Sequence, residues 1–437
     1  MASADATQAA SGVPLLARWQ GLMAPDPAVL KRLEQLAGLL LLLLFSGLPL
    51  FTRTGLALLI AACGTLWLLW CLCSPPRRIG AISLWLMLFL AIAALATGFS
   101  PVPIAASKGL IKLLSYLGVY ALLCKLLLSN ERWWNRLVAG LLSGGLISSV
   151  LALRQLYASS EELAGWADPN SISAGTIRIY GPLGNPNLLA GYLLPLIPFA
   201  AIALVRWRGV GARLFAATTL ALAGTATLFT YSRGGWLGMV AAVAVMLLLL
   251  LLRWTRHWPL VWRRLVPLAV LLIGAACLVV AATQIDPIRT RITSLLAGRG
   301  DSSNNFRINV WMAAIQMVQD RPWLGIGPGN AAFNSIYPLY QQPKFNALSA
   351  YSVPLEILVE TGVPGLLACL GLFASSLRQG LQQLNADGPS ALAAIASLAA
   401  IAGLLMQGST DTIFFRPEVQ LIGWLALATL VSRPGES

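Results

Sequence analysis

The sequence predicts an all-α polytopic membrane protein with about twelve transmembrane helices and one large extracytoplasmic loop. Of its 437 residues, 57% are hydrophobic and 11% are charged, less than half of the roughly 25% charged residues of a soluble domain. The apolar residues form runs of roughly 20, the length that crosses the hydrocarbon of a bilayer. The basic residues lie singly between these runs, as topology signals do. This composition excludes a soluble enzyme, a disordered tail and a fibrous repeat.

The apolar runs divide the chain into spans and loops in a fixed order. The predicted spans are 36–51, 54–73, 79–98, 108–128, 133–157, 185–205, 212–231, 234–252, 260–283, 352–377, 389–410 and 414–431. The polar leader before them lacks the small-residue cleavage pattern of a signal peptide. The resulting regions are a cytoplasmic segment 1–35, helices over 36–283, a periplasmic loop 284–351, helices over 352–431 and a cytoplasmic C-terminus 432–437.

The distribution of basic residues predicts the orientation of these spans. With the N-terminus inside, 17 Lys and Arg residues fall on the cytoplasmic side and 7 in the short outer segments. Short cytoplasmic loops of membrane proteins carry an excess of positive charge. We therefore expect a multi-pass protein of the bacterial inner (plasma) membrane with both termini in the cytoplasm. The net charge of +14 then reflects membrane topology, and no nucleic-acid partner is predicted.

The sequence gives no sign of a metal or a cofactor. All six cysteines lie in or at the ends of apolar segments, and no CxxC pair occurs. Such cysteines are typical of core thiols rather than disulfides or zinc ligands. The single histidine, His257, lies in a Trp- and Arg-rich cytoplasmic turn that is typical of interfacial anchoring.

Two outer loops, 158–184 and 284–351, are long enough to suggest a function. The larger one predicts an amphipathic helix from Phe306 to Asp320, which Pro322 ends. Apolar residues step along it by three and four. These residues are Ile308, Trp311, Ile315 and Val318.

Arginines on the outer side run against the charge bias, and two of them lie beside helix starts. Arg178 precedes Asn185, which suits an N-cap, and Asn187 follows in the first turn. This pattern fits an anion site as well as an ordinary helix start. Arg233 lies at a tight turn between two spans, where Gly234 and Gly238 favour close helix packing. Its alternative interpretation is an interfacial side chain that reaches toward water.

The remaining candidates lie on the large loop and on the span that follows it. Arg307 precedes Trp311 by one helical turn, and three outer arginines together suit an oxyanion. Glu356 and Glu360 share one helical face, where they are predicted either to titrate or to pair with an outer arginine. Asp411 and Arg416 flank the last outer turn and are predicted to pair with each other.

The order of these motifs resembles the O-antigen ligase and polymerase superfamily over about residues 110–430. The motifs are Arg178…Gly184-Asn185-Pro186-Asn187, Ser232-Arg233-Gly234, Arg307…Trp311…Arg321-Pro322-Trp323-Leu324-Gly325-Ile326-Gly327 and Leu355-Glu356-Ile357-Leu358-Val359-Glu360-Thr361-Gly362. The resemblance implies a multi-helix membrane protein that transfers glycan from undecaprenyl diphosphate at the periplasmic face. It also implies that Arg178 and Arg233 hold the diphosphate.

One position departs from the ligases of this superfamily. They resemble one another in carrying a His eleven residues before the Gly of Glu-Thr-Gly, and Tyr351 stands there in this chain. A tyrosine is a poor general base near neutral pH. The stretch Ala347-Leu348-Ser349-Ala350-Tyr351-Ser352, together with Gly184-Asn185-Pro186-Asn187, instead resembles the inorganic-carbon (bicarbonate) transporter branch of the superfamily.

Three functions stay open at this point. The first is a part in inorganic-carbon transport or accumulation, and the second is a glycan ligase or polymerase with altered chemistry. The third is a non-catalytic scaffold. The candidate anion- or substrate-binding residues under these hypotheses are Arg178, Asn185, Asn187, Arg233, Arg307, Tyr351, Glu356 and Glu360. The expected partners are the lipid bilayer and an anionic small molecule or a lipid diphosphate.

The predicted orientation can be tested with a cysteine at Ser302 in the large loop. We expect a membrane-impermeant maleimide to label Ser302→Cys in intact cells, because the charge bias places this loop outside. Labelling only after permeabilisation would reverse the orientation.

Overall fold

The computed structural model describes a bundle of α-helices. The described residues are 26–75, 79–157, 178–284, 297–385 and 388–431, with Asp286, Arg289 and Thr293 between the third and fourth ranges. No β-strand occurs in these ranges, so the all-α class is confirmed. The predicted segment 432–437, residues 1–25 of the N-terminal segment 1–35 and most of the loop 158–184 lie outside the described residues.

The helices follow one another through short connections. They are α1 (Pro27–Gly47), α2 (Arg53–Cys73), α3 (Ala81–Gly98), α4 (Pro103–Ser129), α5 (Arg132–Arg154), α6 (Pro186–Leu193), α7 (Leu196–Arg206), α8 (Val210–Phe229), α9 (Arg233–Trp254), α10 (Leu260–Gln284), α11 (Ser302–Asp320), α12 (Asn330–Ile336), α13 (Val353–Leu384), α14 (Pro389–Gly408) and α15 (Pro417–Leu430).

Ten helical segments of the described chain are long and apolar enough to cross a membrane, with α6 and α7 forming one segment. This confirms a polytopic protein, while the count of twelve spans stays a prediction. The two predicted spans outside that count correspond to α15, which has 14 residues, and α1, whose first half carries Lys31, Arg32 and Glu34. Helix α1 begins at Pro27 rather than at 36, because Asp26 caps it by accepting from the Ala28 N–H at 2.8 Å.

Hydrogen bonds between the connections define two ends of the bundle. At one end, Lys112 Nζ donates to the Phe415 carbonyl at 2.8 Å, where the connection between α14 and α15 meets α4. At the other end, Arg253 donates to the Leu384 carbonyl at 2.8 Å, where α9 meets the last turn of α13. Residues 297–352 lie at the first end, which we call the loop end. Which end faces the cytoplasm stays a prediction.

Two glycines let α9 and α14 cross at close range. A Cβ at Gly238 would lie 2.7 Å from the Gly403 carbonyl oxygen, and one at Gly403 would lie 2.9 Å from the Gly238 carbonyl oxygen. Only small residues permit such a backbone contact between membrane helices. The crossing brings the first turn of α9, with Arg233, beside the end of α14 and the connection that follows it: a Cβ at Gly234 would lie 3.1 Å from the Thr410 hydroxyl.

A kink in α13 holds the large loop against the bundle. Pro364 has no N–H for the Glu360 carbonyl, and the Val363 N–H donates to the Pro322 carbonyl at 2.8 Å rather than within the helix. The two carbonyls that lose their helical donors accept from the loop. The Ile326 N–H donates to the Val359 carbonyl at 2.9 Å, and the Gly327 N–H donates to the Glu360 carbonyl at 2.9 Å. The kink therefore satisfies its own backbone groups by binding the loop.

The predicted loop helix is confirmed as α11, although its buried face differs from the predicted one. The helix starts at Ser302, where Asp301 caps it by accepting from the Asn304 N–H at 3.1 Å. Its buried residues are Asn309, Val310, Ala313, Ala314 and Met317. Ile315, on the predicted stripe, is 47% exposed. The other three residues of the stripe are half-buried. The buried residues Val310, Ala314 and Met317 each lie one position before a member of the predicted stripe, because the elements that α11 meets in space decide which face is buried.

The kink predicts a large effect of one small substitution. Gly362 has φ of 68°, and a Cβ there would lie 2.5 Å from the Trp323 carbonyl. The ψ of Gly362 is −169°, so the residue lies in an extended positive-φ region that is essentially restricted to glycine. Gly362→Ala therefore adds a backbone penalty of about 1–3 kcal/mol to a steric clash. We expect a lower melting temperature in detergent and faster proteolysis of the loop.

Gly224→Ala is the matched control, because a Cβ at that helical position meets nothing within 4 Å. We expect it to leave stability unchanged or slightly higher. Equal melting temperatures for the two variants would show that the kink does not hold the loop.

Candidate functional site

Arg178 joins two segments at the loop end. Its Nε donates to the Thr230 carbonyl at 2.9 Å, in the turn between α8 and α9. Its second guanidinium nitrogen donates to Asn187 Oδ1 at 2.8 Å, in the first turn of α6. The guanidinium is thereby fixed beside the turn that leads to Arg233.

The two predicted asparagines have different roles. Asn185 is the N-cap of α6, since its Oδ1 accepts from the N–H groups of Asn187 at 2.8 Å and Leu188 at 3.1 Å. The sequence-based cap is confirmed. Asn187 instead connects side chains, because its Nδ2 donates to Asp411 Oδ2 at 3.0 Å while its Oδ1 accepts from Arg178. A continuous hydrogen-bonded chain thus runs from Arg178 through Asn187 to Asp411.

Arg233 forms a buried ion pair with a loop residue. Both terminal nitrogens of its guanidinium lie 3.2 Å from Asp301 Oδ1. The side chains of Arg233 and Asp301 are 9% and 1% exposed. Asp301 is also the N-cap of α11, so one carboxylate fixes both the arginine and the start of the loop helix.

Arg307, Tyr351 and Asp411 act on one another electrostatically. Burial lowers the pKa of Arg307. The charge of Asp411 raises this pKa, and the charge of Arg233 lowers it. Burial raises the pKa of Asp411, and the positive charge of Arg307 opposes this. Burial and then the charge of Asp411 raise the pKa of Tyr351. Arg307 and Asp411 therefore sense each other's charge, and Tyr351 senses both, within one small region.

Tyr351 is held in a strained conformation in this region. Its φ is 50°, a backbone angle that costs conformational energy in every residue except glycine. Its ring meets Phe306 edge to face, with centroids 5.4 Å apart. Because the pKa of Tyr351 is raised, an even smaller fraction of this side chain is phenolate near neutral pH than of an ordinary tyrosine, so it is less available as a general base.

Glu356 and Glu360 lie on one face of α13 and are buried, and both accept hydrogen bonds from backbone N–H groups of the loop. Glu356 Oε2 accepts from the Ala350 N–H, and Glu360 Oε1 accepts from the Gly329 N–H at 2.7 Å. They therefore position the loop. The predicted pairing with an outer arginine is not what the structure shows.

The predicted pair of Asp411 and Arg416 is wrong. The single ion pair found among the described residues joins Arg233 and Asp301. Asp411 is turned toward Asn187, because its burial requires hydrogen-bond donors. Arg416 is exposed.

The structure brings five predicted site residues together at the loop end and adds two aspartates. The predicted ones are Arg178, Asn187, Arg233, Arg307 and Tyr351. Sequence reasoning missed Asp301, although an Asp directly before a helix is a recognisable N-cap signal. It named Asp411 but gave it the wrong partner, because no local pattern marks the contact with Asn187. In the part of the chain that the structure describes, no three His, Cys, Asp or Glu side chains are grouped to hold a metal.

One comparison with known proteins gives a match. Residues 218–370 match the family model described as O-antigen ligase. The matched segment begins within α8 and ends within α13, and it includes Asp301, Arg307 and Tyr351. It supports an O-antigen ligase-like membrane protein. Arg178, Asn187 and Asp411 lie outside it. No curated protein matches the chain.

The ion pair of Arg233 predicts a loss of stability when its charge partner is removed. Asp301→Asn keeps an oxygen that caps α11 but leaves the buried guanidinium without its carboxylate. Breaking such a pair costs up to about 3–5 kcal/mol. We expect a lower melting temperature for Asp301→Asn, and a lower one still for Asp301→Ala, which also loses the cap.

Asp320→Asn is the control, since Asp320 is exposed at the other end of the same helix and the new amide keeps an oxygen that can accept from the Tyr340 hydroxyl. It should melt like the wild type. If Asp301→Asn also melts like the wild type, the pair contributes nothing to stability.

Proposed function

We propose that this O-antigen ligase-like membrane protein binds a small monovalent oxyanion at the loop end and contributes to inorganic-carbon (bicarbonate) transport or accumulation. The observation that supports this most directly is the charge balance of the site. Arg233 lies against Asp301, and Arg307 senses the charge of Asp411. Two of the three arginines thus have a carboxylate beside them.

The charge balance favours a monoanion over a diphosphate. A diphosphate ester carries more than one negative charge, and it would meet the two carboxylates as well as the arginines. Like charges in a partly buried site repel strongly. A planar monoanion such as bicarbonate needs less positive charge and matches the fork of donors on a guanidinium.

The side chain at position 351 supports the same function. The related ligases resemble one another in carrying a histidine there, and Tyr351 with its raised pKa does not accept a proton near neutral pH. A binding or transport function needs no base at this position. The protein is then expected in the bacterial inner membrane with the loop end facing outward, as the distribution of basic residues predicts.

A second function, glycan transfer from undecaprenyl diphosphate at the periplasmic face, is favoured by Asp411 and by the match to the O-antigen ligase family. In this reaction an acceptor hydroxyl oxygen forms a bond to the anomeric carbon. The bond from that carbon to the diphosphate breaks, and the diphosphate leaves with the electron pair. Asp411, whose pKa burial raises, would take the proton of the hydroxyl, and the arginines would hold the leaving group.

Asp411→Asn separates the two functions. It removes a negative charge beside Arg307 and keeps an oxygen that can accept from Asn187. Bicarbonate binding should become tighter, by about three- to tenfold, because the arginine is no longer partly neutralised. Glycan transfer should be lost, because the amide cannot accept a proton.

The measurements are radiolabelled bicarbonate binding and flux in proteoliposomes, and lipid-linked glycan levels in a deletion strain that expresses each variant. Arg307→Gln should weaken bicarbonate binding, and Asp320→Asn should leave it unchanged. The first function would be overturned in favour of the second by two results together. The protein would bind no bicarbonate, and lipid-linked glycan would accumulate both in the deletion strain and in that strain when it expresses Asp411→Asn.

A further inference from the structure

A separate groove lies at the loop end on the other side of the connection between α14 and α15. It has a volume of about 350 Å³ and lies between the first turns of α2, the outer half of α4 and the start of α15. Leu56 and Ile60 of α2, one helical turn apart, form its apolar wall. The groove thus combines an apolar wall on a membrane-spanning helix with a polar rim.

The rim of the groove is positively charged. Arg53, Lys112 and Arg416 line it together with one carboxylate, Glu418. Lys112 Nζ already donates to the Phe415 carbonyl. Arg53 and Arg416 are exposed, and neither forms an ion pair with another described residue. The excess of cations favours an anionic ligand.

Glu418 adds a second requirement. Its Oε2 is buried and accepts no hydrogen bond from any described residue. A buried carboxylate oxygen without a donor is costly, so such an atom calls for a partner. The excess of positive charge in the groove favours an anionic ligand. A hydroxyl group on such a ligand would donate to Glu418 while the negative charge of the ligand still meets the cations of the rim.

We propose that this groove binds a membrane phospholipid whose headgroup carries one phosphate diester and hydroxyl groups. The phosphate lies between Arg53 and Arg416, a headgroup hydroxyl donates to Glu418, and an acyl chain runs along Leu56 and Ile60. A soluble phosphate compound has no acyl chain, so it would make no contact with that apolar wall. This site is distinct from the Arg233–Asp301 region and does not depend on the proposed function.

The charge requirement is tested by lipid titration of the purified full-length protein, with bound lipid counted by native mass spectrometry. Phosphatidylglycerol should bind more tightly than phosphatidylcholine. A basic side chain near a lipid surface is worth about 1 kcal/mol, which corresponds to about fivefold in affinity. The double variant Arg53→Gln/Arg416→Gln should therefore bind phosphatidylglycerol about 25-fold more weakly.

Arg154→Gln is the matched control, because Arg154 is an exposed arginine at the same end of the bundle that does not line the groove. It should bind like the wild type. Equal binding by the double variant and the wild type, or equal weakening by Arg154→Gln, would overturn the proposal. Glycerol phosphate that competes as strongly as the lipid would show a phosphate site without a lipid, which also overturns it.

The hydroxyl requirement is tested with phosphatidylmethanol, which has the charge of phosphatidylglycerol but no headgroup hydroxyl. The wild type should prefer phosphatidylglycerol. Glu418→Ala loses a negative charge, so it should bind both lipids more tightly than the wild type does. Its preference for phosphatidylglycerol over phosphatidylmethanol should disappear. A preference that persists in Glu418→Ala would remove Glu418 from the site, and no preference in the wild type would exclude the hydroxyl contact.

Discussion

The loop end depends on two backbone carbonyls that α13 cannot satisfy within itself. Pro364 supplies no N–H, and the residue before it turns its N–H to the Pro322 carbonyl. The carbonyls of Val359 and Glu360 must find other donors, because an unpaired backbone group inside a membrane protein is costly. They bind N–H groups of the glycine-rich turn, and Glu360 adds its side chain to the same turn. This contact holds the large loop over the bundle.

The position of the loop in turn creates the candidate site. Asp301 caps the loop helix and Arg307 belongs to it, and Tyr351 lies where the loop returns to α13. Arg178 and Arg233 belong to the bundle. The ion pair of Arg233 with Asp301 connects these two parts. A site of this kind forms only when the loop is docked, so the stability of the kink and the binding properties of the site are linked.

Burial explains why the charges do not pair as the sequence suggests. Asp411 is near Arg416 in sequence, yet it lies inward against Asn187 and under the influence of Arg307. Glu356 and Glu360 bind backbone N–H groups of the loop. In each case the carboxylate takes the donors that its buried surroundings provide, whereas the exposed Arg416 turns to a different groove.

The sequence by itself determined the all-α membrane class, the order of the helices, the cap at Asn185 and the presence of a helix in the large loop. These features depend on apolar length, helix periodicity and local capping, all of which are properties of neighbouring residues. The sequence also marked Arg178, Arg233 and Arg307 as outer charges that needed partners.

Only the tertiary structure decided which partners those charges have. The Arg233–Asp301 pair joins residues 68 positions apart, and the contact of Asn187 with Asp411 spans 224 positions. Which face of α11 is buried also depended on its neighbour in space. Such choices follow from which donors and surfaces meet when the helices pack, and no spacing within one segment contains that information.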